Sequence, residues 1–87
     1  MKIKTDFEIT DVADESLLIP VGENATTFGG IVALSETAAF LLRQLSSDRT
    51  SEELVDLLTK EYEIDVSKAR IDIDNAIKLF KELEIIE

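Results

Sequence analysis

The chain lacks two residue types on which much enzyme and metal chemistry depends. Its 87 residues include no cysteine and no histidine. Disulfides, thiolate nucleophiles and cysteine-based zinc sites are therefore excluded, and no imidazole is present for acid–base catalysis. A small chain without these groups is expected to act by binding, and the absence of cysteine favours a reducing compartment, here the cytoplasm.

Proline, glycine and long apolar runs are also scarce. One proline and three glycines, with 45% hydrophobic residues, indicate a globular chain, and its length predicts a single domain over residues 1–87. No apolar run approaches the roughly 20 residues that span a bilayer, and residues 1–6 lack the apolar stretch of a secretory signal. We therefore expect no membrane partner.

Basic residues are also few compared with acidic ones. The net charge is −10, divided into about −4 before Ser35 and −6 from there on, so no basic patch is hidden behind an acidic tail. Nucleic-acid phosphates would be repelled by such a chain, because nonspecific affinity comes from Lys and Arg side chains.

The N-terminal part has the pattern of a small sheet. Residues 7–12 alternate apolar and polar side chains, residues 13–15 supply a polar turn, and residues 16–21 form the second half of a predicted hairpin. Pro20 cannot donate to a ladder and is expected near a strand end. A glycine-containing loop over residues 22–30 then leads to a brief third strand, residues 31–34.

Three capped helices are predicted after the sheet. Ser35 is placed to cap a helix that runs to about Ser46, the box Thr50–Glu53 begins a second that ends near Tyr62, and Asp65 is placed to cap a third. The apolar face predicted for the third helix consists of Val66, Ala69, Ile73, Ala76, Ile77, Phe80 and Leu83. This order indicates a winged-helix-like α+β fold, an N-terminal three-stranded antiparallel sheet followed by a three-helix bundle.

Six segments, in order and with matching spacing, resemble the PqqD-like family, also called RiPP recognition elements. They are Ile19-Pro20-Val21-Gly22-Glu23, Leu34-Ser35-Glu36-Thr37-Ala38-Ala39-Phe40, Thr50-Ser51-Glu52-Glu53-Leu54, Glu61-Tyr62-Glu63-Ile64-Asp65, Ala69-Arg70-Ile71-Asp72-Ile73 and Phe80-Lys81-Glu82-Leu83-Glu84-Ile85-Ile86. One departure is Glu84, which stands where the family usually has glycine, so the third helix is expected to run on or fray there.

The resemblance implies a non-catalytic module. Members of the family bind the leader segment of a ribosomally made precursor peptide, which adds as an extra strand beside the third strand and against the third helix. They present the precursor to a maturation enzyme, often a radical SAM protein. These are the partners that the resemblance implies for this chain.

The binding mode that the resemblance implies, together with a helical wheel of the third helix, indicates a candidate peptide-binding site. Ile71 and Leu79 fall off the apolar stripe and, with Asp72 and Asn75, form a mixed flank suited to a groove wall. The alternative is that isolated apolar residues on a helix surface are ordinary. In the third strand, the backbone of Ile31, Val32 and Ala33 would pair with the peptide. The adjacent Gly29 and Gly30 either permit its close approach or serve only the turn.

Charged residues on the third helix admit two interpretations. Arg70, Lys78 and Lys81 are predicted either to pair with an acidic leader or to form a solvated face. Asp72 and Asp74 lie near opposite edges of the wheel with no histidine, metal motif or phosphate loop. The sequence thus predicts no catalytic residue, no metal ligand and no cofactor.

Two other functions remain open from the sequence. Three helices and a hairpin also suit a winged-helix DNA-binding protein, although the acidic charge argues against it. A self-associating regulatory protein would instead pair its open sheet edge with a second copy. We expect a monomer or a weak homodimer.

Overall fold

The computed structural model describes residues 1–22 and 30–87, in which three strands precede three helices. The elements are β1 (Phe7–Val12), β2 (Glu15–Pro20), β3 (Val32–Leu34), α1 (Glu36–Gln44), α2 (Ser51–Tyr62) and α3 (Val66–Glu82). The α+β class and the element order predicted from the sequence are confirmed. No helix within the described ranges is long and apolar enough to cross a membrane.

The sheet is antiparallel with the order β1-β2-β3. β1 and β2 form the predicted hairpin, in which Phe7 lies opposite Pro20 and Val12 opposite Glu15 across a two-residue turn. β3 pairs with the first half of β2 and begins at Val32, so Ile31 lies just before the strand rather than inside it. Because β2 is central, β1 and β3 form the two edges of the sheet within the described ranges.

One core cluster joins the inner face of the sheet to all three helices. Phe7 and Leu18 enter it from the sheet, and Phe80, at 1% exposure, enters from α3. Ala69 and Ile73 are also buried, as the wheel predicted. Val66, by contrast, is 52% exposed and does not belong to the core, because the first residue of α3 has no preceding turn to pack it against the bundle.

All three helices begin at the predicted cap residues, and two of these form side-chain cap bonds. The Ala38 backbone N–H donates to Ser35 Oγ at 3.1 Å, and both hydrogen bonds of the Thr50–Glu53 capping box form. Asp65 occupies the N-cap position of α3 as predicted, but its side chain accepts no cap hydrogen bond. α1 also ends at Gln44, earlier than the predicted Ser46.

The end of α3 differs from the expectation that the helix would run on or fray. Glu84 adopts a left-handed conformation with φ of +57°. The Ile85 N–H donates to the Phe80 carbonyl at 2.9 Å and the Glu84 N–H to the Lys81 carbonyl at 3.1 Å. These are the two bonds of a Schellman motif, so α3 stops sharply without a glycine.

Candidate functional site

The site begins at the outer edge of β3. Leu17 and Leu18 of β2 lie opposite Ala33 and Val32, so one side of the short strand is already paired. Backbone N–H and C=O groups of alternate residues point in opposite directions, and an edge strand therefore directs half of them away from its neighbour. The side chains alternate as well, with Val32 packed on the core and Ala33 exposed.

The two sheet edges differ in charge. β1 carries Glu8 and Asp11, and charged residues on an edge strand discourage pairing with another chain. β3 contains only Val32, Ala33 and Leu34, none of them charged. The β3 edge is therefore the better suited of the two to accept a further strand.

A groove of about 390 Å³ opens where β3 leads into α1. One wall is the first turn of α1 with its cap, which follows directly on Leu34, and the other wall is one face of α3. The lining residues are Ser35, Thr37, Ala38, Lys68, Asp72, Asn75, Ala76 and Leu79. Alanine and leucine side chains thus lie beside hydroxyl, amide and charged groups, a mixture typical of ligand-binding clefts.

Three of the predicted α3 residues line this groove. Asp72, Asn75 and Leu79 are spaced by three and four positions and so share one helix face. Ile71, although 58% exposed, and Lys78 are not among the lining residues, and the helical repeat puts them beside Asn75 at the outer margin. Asp72, Asn75 and Leu79 thus lie together in the groove, and Ile71 and Lys78 lie at its border.

Arg70 lies elsewhere. Its guanidinium forms two hydrogen bonds with the Glu52 carboxylate at the start of α2, at 2.5 and 2.9 Å. This bidentate pair lowers the pKa of Glu52 and raises the pKa of Arg70. Because Arg70 pairs with Glu52 of α2, it is not among the groove-lining residues with Asp72, and its contact with a peptide stays a prediction. Lys81, the other cation considered, is also absent from the lining.

Gly30 has a backbone reason to be glycine. Its φ of +145° lies in a region that L residues rarely adopt, whereas a Cβ at this position would meet nothing within 4 Å. This φ is a reason for glycine at position 30 that needs no peptide, and the close approach of a peptide there stays a prediction. Gly29 lies outside the described residues.

Several groove residues were not identified from the sequence as site residues. Ser35 was assigned only a capping role, and Thr37, Ala38, Lys68 and Ala76 had no assigned role in the site. The spacing of Lys68, Asp72, Ala76 and Leu79 on one helix face was a usable signal. Nothing in the sequence, however, shows that the first turn of α1 lies opposite that face.

A second missed signal is the distribution of basic residues. From Thr5 to Leu42 the chain has no Lys or Arg, and it has seven acidic residues, Asp6, Glu8, Asp11, Asp14, Glu15, Glu23 and Glu36. This range includes every strand and the α1 wall of the groove. Of the two basic residues that flank this range, Lys4 and Arg43, Arg43 pairs with Asp11 at 2.6 Å. Acidic side chains therefore outnumber basic ones in the part of the chain that forms the sheet and the α1 wall.

Comparison with known families gives one match. The family described as Coenzyme PQQ synthesis protein D (PqqD) matches residues 11–86, which is most of the chain. No curated protein matches the sequence.

Comparison with solved structures gives two similar folds. TbiB1 in complex with the TbiA(beta) leader peptide has a TM-score of 0.79 and 23% identity, covering 100% of this chain and 95% of that chain. Lasso peptide synthetase B1 complexed with the leader peptide has a TM-score of 0.73 and 21% identity, covering 93% of this chain and 89% of that chain. At these identities the likeness establishes the shared fold.

Proposed function

Because the chain belongs to the PqqD family, we propose that it is a non-catalytic module that binds the leader segment of a ribosomally made precursor peptide. The observation that carries the proposal is an uncharged sheet edge, β3, followed directly in the chain by the α1 wall of a groove between α1 and α3. Both solved structures of similar fold are complexes with leader peptides, which supports the proposal.

In the proposed complex, the peptide adds to β3 as an extra strand. Its backbone satisfies the outward N–H and C=O groups, which provides affinity that depends little on sequence. Peptide side chains next to the paired segment enter the groove and provide selectivity. Ile31, Val32 and Ala33 contribute backbone groups. Asp72, Asn75 and Leu79 contribute side chains, as do the border residues Ile71 and Lys78.

The proposal also covers the compartment in which the module acts and the enzyme with which it works. Residues 1–87 act as one peptide-recognition domain in the cytoplasm and present the bound precursor to a maturation enzyme, such as a radical SAM protein. The module itself supplies no catalytic residue, cofactor or metal ligand, and it binds neither nucleic acid nor membrane. The acidic surface from Thr5 to Leu42 opposes binding to phosphate backbones.

Proline substitutions in β3 test the edge. Backbone N–H groups of alternate residues along β3 point away from β2. The outward N–H group therefore belongs to either Val32 or Ala33, but not to both. One of Val32→Pro and Ala33→Pro therefore removes a donor to β2 and destabilises the fold, whereas the other removes an outward donor and leaves the domain folded. Fluorescence polarisation with labelled leaders of precursors encoded beside the gene should show that the folded variant binds at least about tenfold more weakly.

Polar substitutions on α3 test the groove with the same labelled leaders. Leu79→Gln puts an uncharged polar group into the apolar part of the groove and should weaken binding strongly, and Ile71→Gln at the border should weaken it less. Val66→Gln is the matched control, because Val66 is also an exposed apolar residue of α3 but does not line the groove. Equal affinities for all three variants, or no binding by the wild type at high micromolar concentration, would contradict the proposal.

Self-association is measured in the same samples. Sedimentation without peptide should show a monomer, since the edge is proposed to serve a peptide rather than a second copy. A concentration-dependent dimer that the folded β3 proline variant abolishes would assign the edge to self-pairing instead.

A further inference from the structure

We propose that the groove selects a basic side chain of the bound peptide, with the Asp72 carboxylate as its partner. This inference rests on the proposed function and specifies the class of peptide that the site accepts.

Asp72 is the acidic group of the groove lining. Its side chain is 26% exposed and lies on the wall formed by α3, where Ala76 and Leu79 are its apolar neighbours on the same face. A partly desolvated carboxylate binds a cation more strongly than a fully hydrated one, because less water competes for it. An arginine or lysine entering from the β3 edge would therefore gain more at Asp72 than at an exposed acid.

The present partner of Asp72 can be displaced. Lys68 Nζ lies 2.6 Å from Asp72 Oδ1, one helical turn earlier on α3, and its side chain is 61% exposed. Lysine preceding the acid by four residues is the less favourable order for such a pair. The flexible Lys68 stem can also return its ammonium group to water when a peptide cation arrives.

The long-range field favours the same peptide charge. Glu36 lies in the first turn of α1, beside the groove, and the whole segment from Thr5 to Leu42 lacks a basic residue. On α3, Arg70 is bound by Glu52, so this cation is already neutralised. With a net charge of −10 the molecule attracts basic peptides and repels acidic ones. This differs from the expectation that Arg70, Lys78 and Lys81 meet an acidic leader.

A random peptide library identifies the preference without knowledge of the natural precursor. Ten-residue peptides displayed on yeast are selected with the full chain at low salt. We expect retained sequences to contain Lys or Arg at a fixed distance from an apolar segment. One retained peptide is then synthesised with its basic residue intact and with that residue replaced by Gln or by Glu. The Gln version should bind about tenfold more weakly, as expected for loss of a charge-assisted hydrogen bond, and the Glu version more weakly still.

Paired variants separate a contact at Asp72 from a general charge effect. Asp72→Asn should weaken binding of the basic peptide about tenfold. Asp74→Asn makes the same change in net charge two residues along the helix, outside the groove lining, and should have little effect. Lys68→Ala frees Asp72 and should tighten binding a few-fold, whereas Lys60→Ala, an equal charge change on α2 and outside the lining, should alter it less.

The outcomes distinguish the two proposals. Retained peptides without a basic preference, equal effects of Asp72→Asn and Asp74→Asn, or weaker binding by Lys68→Ala would overturn the Asp72 subsite while leaving the β3 edge in place. If no peptide is retained, or if retained peptides bind the folded β3 proline variant as well as the wild type, the proposed function itself fails. Thermal melting of each variant confirms that it is folded.

Discussion

At the scale of single residues, Glu84 carries a backbone cost that the chain tolerates. A φ of +57° brings the Cβ of an L residue close to its own backbone, at a cost of about 1–2 kcal/mol. The cost is tolerated because the Schellman turn at Glu84 brings Ile85 into the core at 0% exposure, next to Phe80. Burial of such a side chain contributes about 1.5–3 kcal/mol.

Glu84→Gly is therefore expected to stabilise the protein. Glycine relieves the steric conflict of the Cβ, which raises the free energy of unfolding. It also makes the unfolded chain more flexible, which offsets part of that gain, so a net rise of about 0.5–1 kcal/mol is expected. Urea denaturation measures the change. Glu84→Ala is the control, because it removes the charge and keeps the Cβ. A gain of equal size in Glu84→Ala would show that relief of negative charge, not of backbone strain, is responsible.

Single positions also show why the sequence could predict only part of the site. The helical repeat alone was enough to set Asp72, Asn75 and Leu79 apart from the core face of α3, and the structure places all three in the groove. Arg70 could not be assigned in the same way. Its direction depends on Glu52 of another helix, and a wheel drawn for one helix contains no information about that neighbour.

At the scale of elements, the helix starts differ in how they are held. α2 has a complete capping box, in which the Glu53 N–H donates to Thr50 Oγ1 at 3.2 Å and the Thr50 N–H to Glu53 Oε1 at 3.0 Å. α3 begins at Asp65 without a side-chain cap bond and is held mainly by its buried face. Cap residues could be read from the sequence, but whether a cap bond forms depends on the approach of the preceding chain.

Alanine substitution at the two caps should reflect this difference. Thr50→Ala is expected to lower the free energy of unfolding by about 1 kcal/mol, because it removes the side-chain acceptor of the Glu53 N–H and breaks the reciprocal box. Asp65→Ala should cost clearly less, since only the attraction between its charge and the helix dipole is lost. Chemical denaturation of both variants, with Ser46→Ala outside α1 as the control, provides the measurement. A larger loss for Asp65→Ala would mean that its carboxylate caps α3 in solution.

At the scale of the whole molecule, the two ends of the chain are joined. Ile3 and Ile86 form an isolated antiparallel bridge, the Lys4 N–H donates to the Ile85 carbonyl at 2.9 Å and the Ile3 N–H to the Leu45 carbonyl at 2.8 Å. No periodic pattern indicates a bridge so short between segments so far apart in sequence. The elements and their order could thus be predicted from the sequence, but this closure of the fold could not.

Net charge acts on the whole molecule and leads to a salt prediction. The radius of gyration is 12.8 Å, and ten excess negative charges repel one another across it. Raising NaCl from about 0.01 M to about 0.1 M shortens the screening length from about 30 Å to about 10 Å, from well above that radius to below it. Repulsion in the folded state is relieved more than in the expanded unfolded chain, so the free energy of unfolding should rise.

Urea is the suitable denaturant for this measurement because it is uncharged. A variant with Glu8→Gln, Asp14→Asn and Glu15→Gln changes three exposed acids, takes the net charge from −10 to −7 and should show a smaller rise with salt. Exposed ion pairs such as Arg43–Asp11 and Arg70–Glu52 are weakened by the same salt, which acts in the opposite direction. A fall in stability with salt would therefore mean that these pairs outweigh the repulsion among the acidic residues of the sheet.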